Sequence, residues 1–221
     1  MKTYSISTRK KQVFISLGLM SGMAVALFLF EAFFFHNIYL IGINWNLFLA
    51  WIPVFIVLYM EKLVSSNLNQ PIKILGYSIV WLLFFPNAPY IITDLVHLYP
   101  YTNNGSSYWH HQIMIYTFAF VSLICGLLSL YWIQKIWTAC FSQALSRVFT
   151  FTSIALSGYG VFLGRIERFN SWDFFIHPMP LAKYVLHSFS NPTAILITFE
   201  FATFIGLAYC MLYSLIHLND Q

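Results

Sequence analysis

Charge is what this sequence lacks. Asp, Glu, Lys and Arg make up 8% of its 221 residues, against roughly a quarter in a typical soluble domain. Eleven Lys and Arg with seven Asp and Glu cannot cover a globule this size when 59% of the residues are hydrophobic and 20% aromatic. That shortage excludes a cytosolic enzyme and a disordered chain. Cysteine is also scarce. Cys125, Cys140 and Cys210 show no CxxC spacing, and an odd number cannot all pair within the chain. This excludes a disulfide scaffold and makes buried thiols the default reading. Walker loops, dinucleotide fingerprints, nucleophile elbows and HExxH are absent, as are internal repeats, low-complexity tracts and any soluble domain.

What remains is a polytopic all-α membrane bundle. Six apolar runs stand out: Val13–Phe35, Ile41–Met60, Ile72 to about Tyr90, Gln112–Ile133, Val148–Gly164 and Thr193–Ile216. Each is near the ~20 residues that a helix needs to cross the hydrocarbon core. Transmembrane strands would alternate instead. The first run has 23 residues, too long for the ~7–15 of a cleavable signal core, and reads as a retained span. The organisation expected is a basic N-terminus over 1–12, one six-span domain over 13–217 and a tail over 218–221.

The cations set an orientation. Lys2, Arg9, Lys10, Lys11, Lys62, Lys73, Lys135 and Arg147 fall on one side of a six-span chain, and Arg165, Arg168 and Lys183 on the other. The positive-inside rule then places both termini in the cytoplasm. The basic start reads as a membrane anchor rather than a nucleic-acid patch.

Polar chemistry gathers on the outer side. Asn44, Asn46, Asn87, Asp94, His97, His110 and His111 lie at or beyond the outer ends of spans two to four, and Arg165, Glu167, Arg168, Asn170, Asp173 and His177 follow span five. Glu31 and Glu200 are carboxylates inside spans one and six. Glu200 lies roughly 10 Å deep at helical rise, which favours a bundle-facing role because an isolated buried carboxylate is costly. Glu31 fits a snorkelling position and a site position equally. Pro86 and Pro89 break the third span within an apolar stretch. Asn44, Asn46 and Pro53 suggest a similar interruption in the second.

Asp94 and His97, spaced i, i+3, are the candidate catalytic pair, as base or as an Asp orienting a His. They would need a third ligand from His110, His111, Asp173 or His177 to hold a metal, and no metal is assigned. Arg165 and Arg168 share the same spacing and fit either an anion clamp or charge balance against nearby carboxylates. With Asn46, Asn87, Asn170, Asp173 and Glu200 they form the candidate ligand-binding set. Trp172, Tyr99, Tyr101, Tyr108 and Trp109 fit an interfacial aromatic belt. Asn104-Gly105-Ser106 matches a glycosylation sequon.

Three stretches together resemble a known family. They are Asn46-Leu47 ahead of Ala50-Trp51-Ile52-Pro53, Pro86-Asn87-Ala88-Pro89-Tyr90 with Thr93-Asp94-Leu95 and His97-Leu98, and Gly164-Arg165 with Arg168 and Asn170-Ser171-Trp172-Asp173. The chain is similar there, and over nearly its whole length after the basic start, to the uncharacterised multi-pass proteins catalogued as domain of unknown function 1361. The resemblance implies a bacterial cell-membrane protein and no particular activity or cofactor.

Three functions stay open: a binding or transport protein with an outer cavity, an enzyme acting on a lipid-linked or anionic substrate at the outer leaflet, and a structural or assembly subunit. The apolar inner halves of the spans count against transport. The expected partners are the lipid bilayer and an anionic or lipid-linked small molecule, without nucleic acid; cofactor and oligomeric state are not specified by the sequence. The orientation is tested by reporters fused to the C-terminus: a cytoplasm-only reporter is expected to be active, and activity of a periplasm-only reporter there would overturn the six-span, termini-inside topology.

Overall fold

A bilayer offers no water to its backbone, so each apolar run satisfies its own amides by becoming helical. The computed structural model describes residues 8–65, 71–98, 106–188 and 190–218. Lys2, Tyr99, Tyr101, most of the Asn104 sequon and the last three tail residues lie outside them. The order is α1 (Thr8–Phe34), α2 (Gly42–Ser65), α3 (Pro71–Phe84), α4 (Asn87–Tyr90), a 3-10 helix (Ile91–Leu98), α5 (Ser106–Cys140), α6 (Gln143–Arg165), α7 (Asp173–Ile176), α8 (Pro178–Ser188) and α9 (Pro192–Ile216). Among the described residues there is no strand.

Five segments are long and apolar enough to cross a membrane: Thr8–Phe34, Gly42–Ser65, Pro71–Leu98, Ser107–Cys140 and Pro192–Ile216. The expected fifth span is also a helix, α6, but falls short on hydropathy. Its sequence explains why. Ser146, Thr150, Ser153 and Ser157 recur at helical spacing on a face that is buried. Small polar residues of this kind let membrane helices approach closely. At Gly158 the approach is extreme, because an added Cβ would lie 2.4 Å from the Thr198 carbonyl oxygen of α9.

The longest helix, α5, is the axis of the bundle. In its apolar 18-residue stretch 72% of residues are buried, against 17% in the corresponding stretch of α1 and 11% in that of α9. The helices α1, α2, α4 and α6, with the 3-10 segment, all pack on it. Indole N–H groups need partners in this apolar core, and serines on neighbouring helices supply them. Trp81 donates to Ser129 at 3.3 Å, Trp137 to Ser78 at 2.9 Å and Trp51 to Ser21 at 3.1 Å. At one end of the bundle Lys10 pairs with Glu61 and lies 4.3 Å from the Trp132 ring centroid.

The third span is broken where the prolines stand. Pro86 and Pro89 cannot donate to the Leu82 and Phe85 carbonyls, so α3 stops at Phe84. A single turn, α4, and eight residues of 3-10 helix carry the chain onward. Side chains take over the exposed carbonyls: Asn87 Nδ2 donates to Phe84 O at 2.9 Å, and Ser171 Oγ donates to Leu83 O at 2.8 Å. The displaced backbone fits because two neighbours lack side chains. A Cβ on Gly126 would meet Ala88 at 2.7 Å, and one on Gly160 would meet Pro86 at 2.6 Å.

The matching interruption expected in the second span does not occur. α2 is one helix from Gly42, with Asn44 and Asn46 in its first turns and Pro53 inside. A single proline leaves one i−4 carbonyl without its donor, a defect that a membrane helix accommodates by bending. Two prolines three residues apart remove adjacent turns' donors together.

Candidate functional site

The 3-10 geometry of Ile91–Leu98 decides what the candidate pair can do. With three residues per turn, side chains at i and i+3 eclipse, so Ile91, Asp94 and His97 lie in one row. Ile91 and Asp94 are buried, and Asp94 is only 5% exposed. A carboxylate there requires partners. Arg165, the last residue of α6, supplies the charge: its Nη1 donates to Asp94 Oδ1 at 3.0 Å. Asn46 of α2 donates through Nδ2 to the other oxygen at 3.4 Å. His97 Nε2 lies 3.8 Å from Asp94 Oδ1 and 3.5 Å from Arg165 Nη2. A guanidinium can only donate, so His97 Nε2 is the acceptor in that contact. The outer face of that ring meets Tyr39 edge-on at 5.6 Å between centroids.

Beside this cluster lies a cavity of about 290 Å³ between α2, the α3–α4 break, α6 and the segment after it. Trp45, Asn46, Asn87, Tyr90, Phe169, Asn170 and Ser171 line it with a floor of leucines. Asn46 belongs to both cavity and cluster. Asp94, His97 and Arg165 do not line the cavity.

The segment after α6 is folded for this position. Arg168 adopts a left-handed φ of 60°, a conformation that costs a non-glycine residue about 1–2 kcal/mol. The reversal returns the Phe169 N–H to the Leu163 carbonyl at 3.1 Å. Asp173 then closes the next turn, accepting from the Asn170 N–H at 2.6 Å and starting α7. These bonds present Ser171 to the break, where Asn87 Nδ2 also donates to Ser171 Oγ at 2.9 Å.

The structure therefore brings together Asp94, His97, Arg165 and Asn46, and sets Asn46, Asn87 and Asn170 on one cavity. It does not bring in the remaining three. Arg168 is exposed, so the two arginines form no common clamp. Asp173 is occupied with its own turn. Glu200 is exposed on α9 rather than facing the bundle. No group of three or more His, Cys, Asp or Glu suited to a metal ion occurs among the described residues.

A second buried pair escaped the sequence reading. Glu31 of α1 and His111 of α5 are 3% and 1% exposed. His111 Nδ1 meets Glu31 Oε1 at 2.7 Å, and Asn37 Nδ2 donates to the same oxygen at 2.7 Å. The neighbouring His110 Nε2 reaches the Leu27 carbonyl at 3.0 Å. Glu31 is thus neither snorkelling nor exposed. The available signal was depth: the one carboxylate of span one and two histidines at the start of span four lie at matching levels.

The family model described as protein of unknown function (DUF1361) matches residues 45–208. That stretch holds the whole cavity lining and the Asp94 cluster, whereas Glu31 precedes it. No curated protein and no solved structure matches the chain.

The pairing is tested by double-mutant cycles on stability in detergent. Asp94→Asn with Arg165→Gln is expected to show a coupling of about 1–3 kcal/mol, as for residues sharing one ion pair. Asp94→Asn with Arg168→Gln is expected to be additive within about 0.5 kcal/mol. Additivity in the first cycle would remove Arg165 as the partner of Asp94.

Proposed function

We infer that this chain, which belongs to the DUF1361 family, is an integral membrane binding protein whose ligand site is the cavity beside Asn87 and Ser171, opening on the outer side. One observation carries the reading: Asp94, His97 and Arg165 lie next to the cavity but do not line it. A general base must come within hydrogen-bond reach of the group it deprotonates. Both oxygens of Asp94 are held, one by Arg165 and one by Asn46, and His97 Nε2 faces the guanidinium. This counts against the enzyme reading and gives the cluster another role. It ties α6 and α2 to the broken third span, and the cavity is the space those three elements leave.

An assembly role has its own supporting observation, and it concerns a different face. Glu200 lies eight residues beyond Pro192, about 12 Å along α9, and is exposed. Carboxylates within membrane segments almost always face protein or a water-filled cavity. The α9 face with Glu200 is therefore proposed to pack against another protein subunit. A Glu200→Cys variant is expected to cross-link to a neighbouring chain in native membranes; a solely monomeric product across linker lengths counts against it.

The binding reading is tested by cysteine accessibility in a background with the three native cysteines replaced by serine. Asn170→Cys and Leu163→Cys, both on the cavity, are expected to react in intact cells with a membrane-impermeant maleimide. Phe151→Cys, 77% exposed on α6 but facing lipid in this reading, is expected to resist it. Equal resistance of all three would mean that no water-filled cavity opens outward.

A further inference from the structure

Among the described residues the cavity wall carries no charged side chain, although charges stand close by. Arg165 is turned to Asp94, and Arg168 lies away in an exposed turn. An anion entering the cavity would shed water with no cation to replace it, and a cation would find no carboxylate. Of the ligands expected from the sequence, anionic or lipid-linked, an anionic head is the one this wall disfavours.

The hydrogen-bond arithmetic is more specific. Asn87 has two amide hydrogens. One goes to the Phe84 carbonyl and the other to Ser171 Oγ. Because the Phe84 carbonyl can only accept, the amide cannot be flipped, and Asn87 has only its Oδ1 for a ligand. Ser171 has given its single hydrogen to the Leu83 carbonyl. Asn46 has turned an amide hydrogen toward Asp94. The groups bonded at the break thus present acceptors, Asn87 Oδ1 above all, while Trp45, Tyr90 and Asn170 bring N–H and O–H donors, so a ligand that matches this wall must donate hydrogens as well as accept them. Phosphate and carboxylate oxygens cannot do so when ionised; hydroxyl groups can. Trp45, Tyr90 and Phe169 add flat apolar faces, and Leu49, Leu82 and Leu156 add a hydrocarbon floor.

We propose that the cavity takes the uncharged, hydroxyl-bearing head of an amphiphile, with ring C–H groups against the aromatic side chains and hydroxyls donating to Asn87 Oδ1 and Asn46 Oδ1. This rests on the binding reading above and adds the ligand class to it. The small volume limits the bound head to about one sugar-sized unit, since it is at the lower bound of typical ligand pockets, about 300 Å³.

The test uses the full chain in phosphatidylcholine nanodiscs, with Leu163→Cys in the cysteine-free background as reporter. Three probes of equal tail length are compared below their micellar concentrations: octyl glucoside, octyl phosphate and octanol. Octyl glucoside is expected to slow maleimide labelling at least about tenfold more effectively than the other two, a margin of about 1.4 kcal/mol. Adding Asn46→Leu is expected to erase that margin. Asn46 bonds Asp94, which keeps its ion pair with Arg165, and serves no carbonyl of the break, so this variant is expected to fold even if Asn87→Leu does not. Stronger protection by octyl phosphate would overturn the ligand class while leaving the cavity as a binding site. Equal protection by octanol would overturn it too, by reducing recognition to the tail. Labelling from the outer side without protection by any probe would likewise refute this proposal. A cysteine that never reacts from the outer side would instead bring down the binding reading beneath it.

Discussion

An amide in hydrocarbon must be hydrogen-bonded, and the rest of this molecule's polar architecture follows from one place where the helix ladder cannot meet that demand. At Pro86 and Pro89 the third span loses two donors within one turn. The ladder stops there, so the neighbouring Leu83 and Phe84 carbonyls also lose their partners, and leaving them unsatisfied costs about 1–3 kcal/mol each. The chain answers with Asn87 from within the break and Ser171 from 84 residues further on. Bringing Ser171 there requires the segment after α6 to fold back, which it does through the left-handed Arg168 and the Asp173 turn. That fold-back forms one side of the cavity. The broken span forms the other.

The break also fixes where charge can be buried. Beyond Pro89 the chain runs as 3-10 helix, so Asp94 sits in a row with the buried Ile91 instead of rotating toward the surface. A carboxylate in that position needs a cation, and the end of α6 delivers Arg165. The Glu31–His111 pair does comparable work between α1 and α5. The two pairs differ in exposure. The Arg165 and His97 side chains are about a quarter exposed, at 27% and 25%, whereas Glu31 and His111 are almost fully enclosed. Removing a partner from the enclosed pair therefore leaves the more poorly solvated charge.

Features tied to composition or to proline were legible in the sequence, and features that depend on which way a helix faces were not. Apolar runs gave the helices, and Pro86 with Pro89 gave the break. A boundary carboxylate seeks the nearest cations, which on this reading are Arg165 and Arg168, and Asp94 meets Arg165 at 3.0 Å. The same reasoning could not choose between Arg165 and Arg168, because the choice depends on where α6 ends. The residue inside the helix points back to the bundle, and the one beyond it turns outward. Glu200 was assigned inward on energetic grounds, but α9 is peripheral, with 11% of its apolar 18-residue stretch buried, and its rotation is set by Gly158 and Ala202 at the α6 crossing. The second-span interruption was inferred from Asn and Pro together. At the start of α2 the asparagines occupy helix positions without breaking it, since the first turn has free N–H groups in any case.

The distribution of polar groups along the bundle bears on transport. A pathway through α2, α3, α5 and α6 would need polar or small residues continuing past the cavity floor toward the Lys10 end. Instead, the central helix turns apolar there: Leu127, Leu130, Ile133 and Ile136 are 5% exposed or less. Trp81 and Phe85 stack at 4.5 Å beneath the break, and Trp137 and Phe149 stack at 4.0 Å further along. Key polar groups in this half are engaged locally: Ser129 and Ser78 accept from the tryptophans, and Gln134 accepts from Tyr209. Opening a channel there would mean separating close-packed aromatic pairs and pulling their indole N–H groups from the serines that hold them. A cavity polar at one end, and closed at the other by stacked rings, is what the proposed binding reading requires and a transport pathway does not.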